Sequence, residues 1–152
     1  MSRPRPTDVR ETPLDLFLAL DRQFHFDLDV AASAENTCCP RWLGPGSPIA
    51  ADGLAVAWPL VGSACFMNPP YSDLLGWVGA MVLAAVDIRV VGLLPSDTST
   101  RWFHQCLWDQ DRHDWRPPVV QVRFLSRRLV FGPHASGAKW PNMVVICGPP
   151  ID

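Results

Sequence analysis

A chain of 152 residues with 48% apolar and 10% aromatic residues has the length for one domain with a substantial core. Its formal net charge of −2 excludes a strongly basic molecule held to nucleic acid by charge alone. No apolar run approaches the roughly 18 residues of a membrane span, and the start, Met1-Ser2-Arg3-Pro4-Arg5-Pro6, lacks the apolar stretch of a secretory signal, so the cytoplasm is the expected location. The five cysteines (Cys38, Cys39, Cys65, Cys106, Cys147) have no C-x-x-C spacing and suit buried reduced thiols, with no metal expected.

In chain order, residues 1–10 are rich in proline and arginine without periodicity and read as a flexible leader, which leaves one compact domain over 11–152. Thr12 before Pro13, with Asp15 three residues after Thr12, has the pattern of a capping box. Leu14, Phe17, Leu18 and Leu20 supply the apolar face of a helix over 13–23. Phe26 to Val30 alternates, which predicts a short strand ending near Asp29, followed by a turn or helix over 32–39. Glycines and prolines make 40–63 mostly loop. Ala64 to Asn68 is a buried strand stopped by Pro69 and Pro70, which cannot donate to a ladder.

Ser72 can cap a helix over 73–86, and the apolar run 88–94 predicts a strand covered on both faces. Strand, helix and strand in that order place the two strands parallel in an open α/β sheet. A short helix over 101–108 and a loop over 112–118 come next. Strands over 119–125, 129–131 and 142–147, with no helix long enough to separate them, predict a mixed sheet with an antiparallel C-terminal section. Phe124 and Phe131 are expected in the core, and His104 reads as a packed histidine.

Charge is unevenly spread. No acidic residue lies between Asp114 and Asp152, whereas Arg116, Arg123, Arg127, Arg128 and Lys139 do. That basic third, together with Arg101 beside the 96–100 loop, is the candidate for phosphate contacts, although each of these side chains can also be an ordinary surface charge.

The junction Phe66-Met67-Asn68-Pro69-Pro70-Tyr71 carries the chemistry. It sits at the carboxyl end of a strand, where open α/β sheets bind ligands. Two prolines stiffen the backbone and leave carbonyl oxygens free to accept. The Asn68 amide oxygen and the Pro69 carbonyl can together take both hydrogens of an amino group, which favours a tetrahedral nitrogen and stabilises positive charge growing on it. Tyr71 offers a flat face for a base turned out of a duplex. The bland alternative is an ordinary Asn-Pro-Pro turn with Tyr71 as its lid.

The chain resembles the amino-methyltransferases, and most closely the phage-type DNA N6-adenine methyltransferases (Dam-type). The likeness runs through Glu11-Thr12-Pro13-Leu14, Asp29-Val30-Ala31-Ala32-Ser33, Asp52-Gly53-Leu54 with Trp58, Asn68-Pro69-Pro70-Tyr71, Leu93-Leu94-Pro95, Thr100-Arg101-Trp102-Phe103-His104 and Arg127-Arg128-Leu129-Val130-Phe131. The resemblance implies a Rossmann-like S-adenosylmethionine-dependent methyltransferase fold in a bacteriophage or prophage protein acting in a bacterial cell. It implies methyl transfer from S-adenosylmethionine to adenine N6, with duplex DNA as partner and no membrane.

By the same resemblance, Asn68, Pro69, Pro70 and Tyr71 form the catalytic pocket. Thr12 and Pro13 contact the methionine part of the cofactor, Asp29 with Ala31 and Ala32 lines the cofactor crevice, and Asp52 with Leu54 holds and covers its adenine. From charge and position rather than from the resemblance, Arg101, Arg127, Arg128 and Lys139 are the candidate DNA contacts. One departure stands out: the Gly-x-Gly loop usual in methyltransferase cofactor sites is absent after Asp29. The same acceptor geometry would also serve cytosine N4 or a protein glutamine, and a non-catalytic DNA-binding remnant of the fold is a further alternative. The oligomeric state is left open.

Overall fold

The computed structural model describes residues 12–126 and 141–151. The leader over 1–10 and the strand expected over 129–131 lie outside them.

Helix α1 spans Leu14–Phe24, one residue later at each end than its apolar pattern predicts. The expected capping box does not form. Pro13 occupies the cap position without a side-chain hydrogen bond, because the Thr12 hydroxyl is bonded to Asn68 across the fold. Strand β1 is Leu28–Asp29, β2 is Ala64–Met67 and β3 is Arg89–Pro95. Between β2 and β3, helix α2 covers Leu74–Ala84. A short 3-10 turn over Tyr71–Asp73 delays its start, so its cap is Asp73 rather than Ser72, with the carboxylate accepting from Gly76 N–H at 3.1 Å.

After β3 the chain is helical from Arg101, continuing as a π-helical segment over Phe103–Leu107. The expected loop over 112–118 contains a strand. Here β4 (Trp108–Asp109) and β5 (Asp114–Trp115) form a small antiparallel pair, held by Trp108 and Trp115 edge to face at 5.0 Å. Strand β6 is Val119–Phe124 and β7 is Asn142–Cys147.

The main sheet has the order β1-β2-β3-β7-β6. Its first three strands are parallel, and β7 runs antiparallel to both β3 and β6. The mixed α/β sheet expected from the sequence is therefore present, with β7 as the reversed strand and β6 returning to the direction of β1 to β3.

Period-two alternation assigns the core to two faces. Cys65, Met67, Val90, Leu94, Met143, Val145 and Cys147 pack with α2 on one side. Phe66, Val91, Leu93, Val144 and Ile146 pack with Phe17 and Leu20 of α1 on the other. Phe124 is 64% exposed rather than buried, because it lies on the edge strand β6. With helices on both faces, the sheet is free at its strand ends, which is where a ligand can enter. No helix among the described residues is long and apolar enough to cross a membrane.

Phe66 anchors the α1 face, with its ring 5.2 Å from Phe17 and 5.4 Å from Phe26. Phe66→Ala should cost about 3–5 kcal/mol of unfolding free energy, read as a lower urea midpoint with an unchanged slope.

Candidate active site

Strand β2 ends at Met67, and Asn68 follows it, 6% exposed. Its Nδ2 donates to Thr12 Oγ1 at 3.0 Å. The Thr12 hydroxyl is also hydrogen-bonded to the Cys38 thiol. A hydroxyl has one proton and two lone pairs. Thr12 Oγ1 accepts from Asn68, whose amide stands with its nitrogen toward α1. The Asn68 Oδ1 is buried and has no partner among the described residues. An acceptor is thus held open at the carboxyl end of a parallel strand.

The neighbouring strand end is built on Asp29, 3% exposed. Its Oδ1 accepts from Ala31 N–H at 3.4 Å and its Oδ2 from Cys38 N–H at 3.1 Å. Asp29 therefore holds the loop that presents Cys38 to Thr12, and both its oxygens are engaged by backbone. Burial pushes its pKa up to about 6, against the opposing effect of those two bonds. Burial, together with the Asp29 charge, also raises the Cys38 thiol to about 11, keeping it protonated and unreactive.

Asp52 and Leu54 are brought to this same strand end. Asp52 Oδ1 accepts from Leu54 N–H at 2.9 Å, closing a tight turn whose side chains stay exposed. Gly53 between them packs so closely that a Cβ there would lie 2.1 Å from the Val30 carbonyl oxygen and 2.6 Å from Trp77. Trp58 Nε1 donates to the Gly53 carbonyl at 2.8 Å and stacks on Trp77 at 6.2 Å between centroids. Gly44, at φ 139°, is pressed just as closely on the Ala32 carbonyl. Gly44 and Gly53 thus pack backbone to backbone against Ala32 and Val30.

On the other side of Asn68, Tyr71 is half-buried, and its hydroxyl accepts from Asn142 Nδ2 at 2.8 Å. Sequence reasoning missed Asn142. The available signal was an amide at the head of the apolar run Met143 to Cys147.

The cations are dispersed. Arg101 is exposed beside the 96–100 loop, with its Nε on Gln105 at 3.2 Å. His104 Nε2 lies 2.7 Å from the Thr98 carbonyl, and its ring meets Phe103 edge to face at 5.3 Å. Arg116 is spent on structure, donating to the His104 and Trp108 carbonyls at 3.1 Å. Arg123 lies over the Phe24 ring on the α1 face at 5.7 Å. Arg127, Arg128 and Lys139 lie outside the described residues. Among those described, no group of three or more His, Cys, Asp or Glu side chains could hold a metal ion.

The sheet edge at the ends of β1 and β2 therefore carries an amide acceptor without a partner among the described residues, with a tyrosine adjoining it. The family model described as DNA N-6-adenine-methyltransferase (Dam) matches residues 3–142, and the chain belongs to that family. A DNA N-6-adenine-methyltransferase of Haemophilus phage HP1 (strain HP1c1) is 35% identical over 104 residues, covering 66% of this chain and 57% of that protein. The chain thus spans little more than half the length of that curated relative.

Asp29 makes the site pH-dependent in a defined direction. Between about pH 4 and 6 the folded protein keeps a proton on Asp29 that the unfolded chain has released, so stability from this group falls as pH rises through that window and is level above it. On going from pH 4 to 7, Asp29→Asn should gain relative to the native protein by roughly 2–3 kcal/mol at most. Urea unfolding at each pH measures this, and a gap that stays constant would contradict the raised carboxyl.

Proposed function

We propose that this chain transfers a methyl group from S-adenosylmethionine to the N6 amino group of adenine in duplex DNA, using one domain over residues 11–152. Its mixed sheet, ordered β1-β2-β3-β7-β6, supports a Rossmann-like methyltransferase fold with the ligand edge at the ends of β1 and β2. The observation that carries the reading is the buried, unpartnered Asn68 Oδ1 beside Pro69.

The target base is turned out of the duplex and laid on the face of Tyr71. Asn68 Oδ1 and the Pro69 carbonyl accept its two N–H hydrogens, drawing the nitrogen lone pair out of conjugation and stabilising the positive charge that develops on nitrogen. Neither group titrates, so neither needs a prior deprotonation. When bound, S-adenosylmethionine supplies an electrophilic methyl group on a sulfonium. The fit is supported by the small side chains of Ala31 and Ala32 after Asp29 and by the exposed Asp52–Leu54 turn, which Gly53 lets pack against Val30. Asp52 and Leu54 would hold and cover the adenine ring of the cofactor, with Asp29 and its small neighbours lining the crevice floor. Thr12 and Pro13 would flank the methionine part. The Thr12 hydroxyl is turned to Asn68 and Cys38, so it serves the acceptor by orienting the amide. Arg101, Arg127, Arg128 and Lys139 would reach the DNA backbone.

Labelled cofactor incubated with duplexes whose exocyclic amino groups are confined to adenine or to cytosine tests the reading. Label should enter adenine; entry into cytosine alone, or into neither with a folded sample, would overturn it. Asn68→Ala should lower kcat by roughly 10²–10³ and leave cofactor affinity intact by calorimetry. Thr12→Ser should keep activity that Thr12→Val loses, because only the hydroxyl can hold the amide by its nitrogen.

A further inference from the structure

Asn142 opens β7 and is 1% exposed, ahead of five buried apolar residues. It sits opposite Pro95, the last residue of β3. Because β7 is reversed, its first residue lies at the sheet edge where β2 and β3 end, beside the Asn68 pocket.

The orientation of this amide is determined by its partners. The Leu94 carbonyl, 3.3 Å away, can only accept, so the end facing it is Nδ2. The second Nδ2 hydrogen goes to the Tyr71 hydroxyl at 2.8 Å. Both donors are spent, and Oδ1 is left buried without a partner among the described residues. Burying an open acceptor is unfavourable, a penalty that leucine or methionine at this site would avoid. The contribution of the amide therefore lies in its donors. Of the two bonds, the one to Tyr71 reaches out of the sheet, onto the turn that carries the pocket.

We propose that Asn142 is a positioning residue of the base pocket: by donating to the Tyr71 hydroxyl it pins the far end of the ring and holds its face in place for a stacked base. This rests on the reading of Asn68 to Tyr71 as the adenine pocket. Asn142 touches Tyr71, not the base. A ring set in place before binding loses less rotational freedom when the base arrives, so the effect falls on DNA binding rather than on the chemical step.

Tyr71 is the only tyrosine in the sequence, so the protein labelled with ¹³C at the tyrosine ζ carbon gives one resonance that reports on this hydroxyl. Asn142→Ala should shift that resonance in the ligand-free protein. In methyl-transfer kinetics, Tyr71→Phe keeps the ring and removes the hydroxyl. Tyr71→Phe and Asn142→Ala should each raise KM for DNA about three- to tenfold, a larger change than either makes in kcat, and the double variant should be no worse than the poorer single one. An unmoved resonance, a Tyr71→Phe enzyme with native KM, or effects that multiply would overturn the proposal. Tyr71→Phe leaves β7 intact, so it tests the idea even if Asn142→Ala does not fold. A shifted resonance in a protein that never labels adenine would sink the pocket reading and the base-positioning role with it. Labelled adenine with an unmoved resonance and a silent Tyr71→Phe would sink Asn142 alone.

Discussion

The rest of the site depends on an amide held by its nitrogen with its oxygen left open. Nothing in Asn68 itself imposes that orientation, since an amide is nearly symmetric in shape and a hydroxyl neighbour can bond either end. A chain of hydrogen bonds leads to its nitrogen end. Asp29 Oδ2 fixes the backbone of Cys38, the Cys38 thiol engages the Thr12 hydroxyl, and Thr12 Oγ1 takes the Asn68 N–H. The end of β1, the lead into α1 and the end of β2 are thereby joined through side chains. Each link costs something locally: a buried carboxyl, an unused helix cap and an unpaired carbonyl. These strains gather at one strand edge, as is usual where a structure is set up for a ligand.

The two faces of the sheet explain why that edge can be held still. Phe66 and its aromatic neighbours lock β2 to α1, while Met67, one residue on, packs toward α2. Asn68 then emerges from a strand gripped on both sides, and Pro69 and Pro70 deny it further ladder bonds. The neighbouring loops pack differently. Gly44 and Gly53 permit backbone approaches to Ala32 and Val30 that any Cβ would block.

Most of the fold was legible because periodicity reports burial directly. The elements α1, α2, β2, β3, β6 and β7 fall close to where alternation and helical spacing place them, and the parallel crossover followed from their order. The residues that bond across the sequence were misjudged. Thr12 has a perfect local use as a helix cap, yet its hydroxyl goes to a residue 56 positions away, a competition invisible in local pattern. Ser72 lost the α2 cap to Asp73 because the Tyr71 turn advances the chain by one residue. Phe124 looked like core because strand propensity does not distinguish an edge strand from a central one. Asn142 could have been noticed as an amide at a position that alternation assigns to the interior, but its partner on Tyr71 could not.

The basic third of the sequence illustrates the limit of reading charge by count. Arg116 is tied to two carbonyls inside the β4–β5 corner, and Arg123 is laid on Phe24 on the face opposite α2. Arg101, singled out in the sequence by its place beside the 96–100 loop, is exposed there. Linear clustering of cations says where charge accumulates along the chain, whereas phosphate binding depends on which guanidinium groups remain unspent and share an edge with the pocket. In this fold that edge is set by the parallel strands: β1, β2 and β3 all end there, and β7 begins there because it is reversed. A site assembled from three strand ends and one strand start needs residues from four distant parts of the chain, and only the one compact run among them, Asn68 to Tyr71, could announce itself in sequence.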